Sequence, residues 1–211
     1  MTSGQDAKAD TEDRAELWRS YNAKQTEREP RPLLVMAMEA AGIGAERTAI
    51  DLGCGAGVEV AALADAGWNT IGIDSSPGTT ELVRQVVGGR SPAGLQRTEV
   101  REESLRDAAK SLPPADLIYS GYALPYVHPT DFPAVWAAIR GAMTPGAILA
   151  VQLFGDHDSY FGEDDWNFHT EEEARALVDG LDIVQFEVED ADGMAAGGPK
   201  HWHVFHIIAR R

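Results

Sequence analysis

The sequence has almost no cysteine: Cys54 stands alone among 211 residues. That excludes an intramolecular disulfide and any metal knuckle built on a cysteine pair. Long apolar runs are missing too. No stretch approaches the roughly 18 residues that a membrane span needs. Met1 to Asp13 is polar and mixed in charge, without the apolar segment of a secretory signal. A reducing, cytoplasmic setting is therefore expected. Positive charge is also scarce, with 18 Lys and Arg against 34 Asp and Glu, a net charge of −16. A phosphate backbone is bound by Lys and Arg that displace its counterions. Neither nucleic acid nor a membrane is then an expected partner, and the acidity reads first as a solubility feature. No internal repeat or low-complexity tract occurs.

What is present suits one α/β domain of ordinary apolar content, 44%. Residues 1–30 read as an N-terminal flexible and helical cap, and 31–211 as the main domain. Glu12–Lys24 can form a helix with Leu17, Trp18 and Tyr21 on one face. Leu33–Ala41 reads as a second helix, closed by Gly42. Strands are then expected at Thr48–Leu52, Thr70–Asp74, Leu95–Val100, Ala115–Ser120 and Ala147–Phe154. Helices are expected between them at Val58–Ala66, Pro77–Val87, Ser104–Ser111 and Phe132–Met143. Near-continuous apolar strands alternating with helices imply a parallel sheet covered on both faces. The tail differs. A capping box at Thr170–Glu173 opens a helix to Val178. Leu181–Glu189 and His201–Ala209 follow as strands, joined by a Gly-rich loop without a helix, and so antiparallel. Val184, Phe186 and Val188 alternate with Gln185, Glu187 and Glu189, a half-exposed edge.

The chemistry concentrates after the first strand, in Asp51-Leu-Gly53-Cys54-Gly55-Ala-Gly57. Glycines let backbone approach a ligand, and a following helix offers free N–H groups. A dinucleotide fingerprint places its third glycine one position later, to cradle a pyrophosphate. Adenosylmethionine carries an ammonium and a sulfonium and no phosphate, so an acidic residue at this strand end suits it. Asp74 ends the second strand, where a carboxylate can accept both hydroxyls of a ribose. Ser75 or Ser76 would cap the next helix, with Pro77 in its first turn. After the third strand, Glu102 or Glu103 could accept from an adenine amino group. The fourth strand leads into Ser120-Gly121-Tyr122-Ala-Leu-Pro-Tyr126-Val-His128. Aromatic rings at this edge could surround a sulfonium by cation–π attraction.

Ile50-Asp51-Leu-Gly53-Cys-Gly55-Ala-Gly57, Ile73-Asp74, Asp116-Leu-Ile and Met143-Thr-Pro-Gly146 together resemble the class I, Rossmann-like methyltransferases that use S-adenosylmethionine. Phe168-His-Thr170 and Lys200-His-Trp-His203-Val-Phe-His206 resemble the small tellurite-resistance-like members. The resemblance implies a seven-stranded sheet of order 3-2-1-4-5-7-6, its seventh strand antiparallel and Leu181–Glu189 at the edge. It implies that the Gly53–Gly57 loop holds the methionyl end of the cofactor, that Asp74 holds the ribose, and that the backbone near Ser120 and Gly121 takes the ammonium. Residues before the first strand close over the cofactor in such enzymes; Tyr21, Arg28 and Arg31 are candidates, with Arg31 suited to its carboxylate. Nucleic-acid-base methyltransferases place Asn/Asp-Pro-Pro-Tyr after the fourth strand. Ala123-Leu-Pro-Tyr126 lacks that amide or carboxylate.

The expected activity is thus in-line transfer of a methyl group from S-adenosylmethionine to a small acceptor. Tyr122, Tyr126, His128, Gln152, Phe154 and Trp166 are expected to line the acceptor pocket, with Tyr126 and His128 acting by position more than by acid–base chemistry. The rival readings are an NAD(P)-dependent oxidoreductase and a non-catalytic adenosylmethionine-binding regulator. No metal is expected: His201 and His203 share a strand face but have no acidic partner at a recognisable offset, and Asp156–Asp158 with Glu163–Asp165 reads as a solvated loop. Cys54, inside the turn, reads as a small turn residue and not a nucleophile.

Overall fold

The computed structural model describes residues 16–195 and 197–211. What was expected of residues 1–15 lies outside them. The described part of helix α1 covers residues 16–23, and α2 covers Pro32–Ala41, with Pro32 at its first position. Then follow β1 (Thr48–Leu52), α3 (Val58–Asp65), β2 (Asn69–Asp74), α4 (Thr79–Arg90), β3 (Thr98–Glu102), α5 (Leu105–Ala108), β4 (Ala115–Ser120), α6 (Phe132–Ala142) and β5 (Met143–Gly155). The chain closes with β6 (Phe168–His169), α7 (Glu171–Leu177), β7 (Asp182–Ala195) and β8 (Gly198–Arg210).

One sheet holds all the strands, in the order β3-β2-β1-β4-β5-β8-β7, with the short β6 paired to β5. Strands β1 to β5 are parallel, and β8 enters antiparallel between β5 and the edge strand β7. This is the expected topology with one two-residue strand added. Helices α5, α6 and α7 cover one face through Ala108, Val135, Ile139 and Ala174. The other face carries α2 through Leu34 and Ala37, and α3 and α4 through Val60, Ala61 and Val83. Because both faces are covered, β1 and β4 are buried almost throughout.

Several boundaries differ from expectation for local reasons. Leu95–Arg97 is the end of a 3-10 turn begun at Pro92, so β3 starts later, at Thr98. The Gly-rich segment after Glu189 is not a free loop. The β7–β8 ladder continues through it to the Ala195–Gly198 pair, because backbone pairing needs no hydrophobic pattern. A bulge between Ile183 and Gln185 breaks the expected alternation along β7. Val184 and Val188 face solvent, while Phe186 packs under Arg175, 3.9 Å from its ring centroid. The bulge and the strand's charges together blunt the edge.

Candidate active site

The carboxyl ends of β1, β2, β4 and β5 meet where the strand order reverses, the crevice in which open α/β sheets bind ligands. Asp51 lies on β1, 2% exposed, and its Oδ2 has no hydrogen-bond partner. Burial strips water from its charged form, and Glu59 adds like charge, so its pKa stands well above the usual carboxylate range. Arg28 and Arg31 oppose that shift without cancelling it. The group therefore presents an open, buried acceptor to the crevice.

The glycine turn follows directly. Gly53 has φ +79°, and a Cβ there would stand 2.1 Å from that of Ala123, so the close approach of two strand ends requires glycine. The N–H groups of Gly53 and Cys54 both donate to the Ile73 carbonyl, at 2.7 and 3.0 Å, tying the turn to β2. Asp74 ends β2 and receives the Gly55 N–H at 2.9 Å and the Ser76 N–H at 2.8 Å. Its carboxylate therefore sits between the glycine loop and the turn that leads to α4. Cys54 is buried, and burial pushes its thiol pKa up, which keeps it unreactive.

Two expectations at the next helix need correction. Neither Ser75 nor Ser76 caps α4, and Pro77 is not in its first turn. The Ser76 N–H is spent on Asp74, the helix starts at Thr79, and left-handed Gly78 precedes it. The free donors there, Gly78 N–H and Thr80 N–H, are taken by Glu102 at 3.1 and 3.4 Å. Ser75 is exposed.

The segment between α1 and α2 closes over this edge. Asn22 is 7% exposed, and a Cβ on Gly55 would lie 2.9 Å from its Oδ1. Arg28 pairs with the buried Glu59 through two bonds of 2.6 Å, and the Arg31 N–H donates to the same carboxylate at 3.1 Å. Arg28 is thereby consumed in fastening the segment. The Arg31 guanidinium stands 5.0 Å over the Tyr122 ring and acts electrostatically on Asp51.

Past β4, Ser120 is fully buried and donates to the Leu52 carbonyl at 3.0 Å. Tyr122 has φ +59°, a costly conformation for a bulky residue. That strain turns its ring toward Phe154 and Trp202, 6.3 and 5.8 Å away. Phe154 is also flanked by Tyr126 at 5.8 Å and Tyr160 at 6.4 Å. Trp166 packs edge-on against Tyr126 at 4.7 Å, and Trp18 of α1 meets Tyr126 at 4.9 Å. An aromatic wall thus adjoins the glycine loop. Tyr21 joins it through Trp18, 5.9 Å away.

Gln152 is buried in β5, opposite His206 of β8. Its Nε2 pairs with His206 Nδ1 at 2.9 Å, and His206 Nε2 pairs with Glu189 at 3.1 Å. That leaves Gln152 Oε1 buried without a partner. His128 is placed differently: it is half exposed, its Nδ1 receives the Thr130 N–H at 3.2 Å, and its Nε2 lies 3.6 Å from Asp165. Sequence reasoning missed Lys200, which is buried with Asp158 in a close ion pair, its ammonium 3.7 Å from the centroid of Trp202. It also missed Asn22, Glu59 and Tyr160. The only available signal was the clustering of aromatic residues near Lys200.

A methyltransferase-domain family matches residues 49–146, which begin at β1 and pass through the glycine loop, Asp74 and β4. Over these residues the chain is similar to methyltransferase domains. It is 38% identical over 117 residues to a trans-aconitate 2-methyltransferase of Methylobacterium radiotolerans, an alignment covering 52% of this chain and 38% of that relative. The chain thus spans well under half the length of the curated relative it matches. In fold the chain is similar to TehB from Haemophilus influenzae, with a TM-score of 0.71 and 13% identity over 86% of this chain and 62% of that one. It is also similar to the N-methyltransferase NodS from Bradyrhizobium japonicum, with a TM-score of 0.64 and 18% identity over 85% and 92% of the two chains. A 1,6-didemethyltoxoflavin-N1-methyltransferase from Burkholderia thailandensis aligns with a TM-score of 0.63 and 16% identity over 95% and 89%. No helix among the described residues is long and apolar enough to cross a membrane.

Proposed function

We propose that the protein transfers a methyl group from S-adenosylmethionine to a small-molecule acceptor. The observation that carries this reading is the buried Asp51, with its open oxygen, one strand away from an Asp74 already set against the glycine loop. When bound, S-adenosylmethionine supplies a methyl group activated by a sulfonium. Asp51 and the backbone near Ser120 and Gly121 would hold its ammonium, Arg31 its carboxylate, and Asp74 its ribose. Glu102 is occupied at the start of α4, so Glu103, whose side chain makes no hydrogen bond among the described residues, is the better candidate for the adenine amino group. The donor set fits the group: acidic residues for its cations and a glycine turn for close backbone approach, with a glycine spacing that departs from the pyrophosphate fingerprint.

The chain's remaining task is to orient the acceptor and exclude water, and positioning of this kind can lower a barrier by roughly 7–11 kcal/mol. Tyr122, Tyr126, Phe154 and Trp166 form the wall for an acceptor with a planar or apolar face. His128 acts as a positioning residue beside the loop bearing Asp165 and Trp166, its Nε2 3.6 Å from Asp165. Gln152 Oε1 receives an N–H or O–H of the acceptor. Its amide is held in one orientation by His206 and Glu189, and an unpaired buried acceptor costs about 1–3 kcal/mol until a donor arrives. The relatives named as methylating small molecules support the same class of acceptor.

Calorimetry with S-adenosylhomocysteine and with NADH tests the cofactor. Micromolar binding of the first, weakened strongly by Asp74→Ala, is the expected result. Binding of NADH instead would overturn the reading. Once an acceptor is turned over, Gln152→Met is expected to raise its KM about tenfold with cofactor affinity unchanged. Equal losses for cofactor and acceptor would place Gln152 in the general scaffold.

A further inference from the structure

A second cluster lies beyond the aromatic wall, where the loop after β5 meets the β7–β8 hairpin. The ladder sets Asp190 of β7 directly opposite His203 of β8. The loop brings His157 onto both: its ring stacks on that of His203 at 4.6 Å, and its Nδ1 is 3.1 Å from Asp190 Oδ2. One ligand atom from each of the three residues falls within a span of 4.8 Å. Three chain segments far apart in sequence thus supply two imidazoles and a carboxylate to one point.

The surroundings hold the three groups in fixed orientations. His203 is 4% exposed and occupies a slot that exists only because residue 155 is glycine; a Cβ there would lie 2.0 Å from His203 Nδ1. That nitrogen accepts the His157 N–H at 3.0 Å, which marks it as the unprotonated one, and Asp156 Oδ1 lies 3.6 Å away. The other oxygen of Asp190 pairs with His201 Nε2 at 2.7 Å, and His201 Nδ1 pairs with Asp192 at 2.8 Å. Outer hydrogen bonds of this kind orient a metal-ligating carboxylate.

We propose that His157, Asp190 and His203 form a divalent transition-metal site of the zinc type. Two imidazoles with one carboxylate suit Zn²⁺, Ni²⁺ or Co²⁺, whereas Mg²⁺ and Ca²⁺ take oxygen shells. The 3.1 Å between His157 Nδ1 and Asp190 Oδ2 is close to the spacing of about 3.3 Å between ligands held at roughly 2.0–2.1 Å from a tetrahedral ion. Binding displaces the proton shared by His157 and Asp190, and the His157 N–H yields the His203 nitrogen to the metal. The ion would clamp the hairpin to the loop that carries Asp158 and Tyr160, and so stiffen the far wall of the aromatic pocket. The site is separate from the cofactor crevice and does not depend on the methyltransferase reading.

The test is calorimetric titration of tag-free, EDTA-treated full-length protein with ZnCl₂ and, separately, MgCl₂, alongside His157→Ala and Asp190→Asn. Both substituted side chains are exposed, so both variants should fold, which circular dichroism checks. The expected result is one-to-one Zn²⁺ binding of roughly micromolar Kd, no Mg²⁺ binding, and at least about tenfold weaker Zn²⁺ binding in each variant. A wild-type Kd weaker than about 1 mM would overturn the proposal. So would unchanged affinity in both variants, which would move the ion to other surface carboxylates.

Discussion

Asp51→Asn is expected to weaken S-adenosylhomocysteine binding about 100-fold, equivalent to about 2.7 kcal/mol, while leaving the free protein as stable as wild type or more so. The two effects have one cause. Asp51 is buried, its Oδ2 is unpartnered, and Glu59 adds to the repulsion. Its folded pKa is raised, so folding favours the protonated carboxyl. The sign for stability follows from linkage: this group's contribution is fully present below the ordinary carboxylate pKa and is lost as pH rises toward the elevated folded value. Asparagine does not titrate, so the stability difference, variant minus wild type, should grow from pH 4 to pH 8. We expect a gain of up to about 2 kcal/mol at the upper end, measured by urea unfolding at each pH. A variant that binds the ligand like wild type would remove Asp51 from the cofactor site. A stability difference that does not change with pH would mean that its carboxyl is not held protonated.

Lys200→Met should be among the most damaging single changes for stability, costing about 3–5 kcal/mol. The ammonium and the Asp158 carboxylate have side chains only 2% and 0% exposed. Removing the lysine leaves a carboxylate with no counter-charge where water cannot reach it. Asp158 also accepts the Tyr160 N–H at 3.0 Å and the His203 N–H at 3.2 Å, so the disturbance passes to the loop that forms the aromatic wall. The double variant Lys200→Met, Asp158→Asn keeps an acceptor for one of those two N–H groups, which bond to different oxygens, and removes both charges. It should recover more than half of the loss, because a buried ion pair is worth little more than a neutral replacement. Guanidinium unfolding of the three variants and wild type checks this. A double variant no better than Lys200→Met alone would place the cost in lost packing of the lysine stem against Trp202 and Tyr160.

The candidate crevice could be read from the chain because its signals are local. Asp51, Gly53, Gly55 and Asp74 lie at fixed offsets from strand ends, and a strand–turn–helix unit carries such residues to the same edge wherever it occurs. The parallel order of β1 to β5 followed from apolar runs alternating with helices, and the antiparallel tail from two strands joined without one. The boundaries that failed did so where pairing overrode pattern. The Gly-rich segment after Glu189 pairs because β8 lies beside it, and Glu102 displaces Ser75 and Ser76 from the head of α4 because β3 ends there.

The sequence by itself determined the sheet, the glycine turn and the acidic strand ends, all of which depend on neighbours a few residues away. Only the tertiary structure decided which side chains meet across long separations. It gave Arg28 to Glu59 and set Arg31 over the Tyr122 ring. It turned His128 toward Thr130 and Asp165, buried Lys200 on Asp158, left one oxygen of Gln152 open, and set His157 against Asp190 and His203. The physical reason is that periodicity records which face of an element is buried, whereas the pairing of charges and hydrogen bonds depends on what the neighbouring elements present to that face.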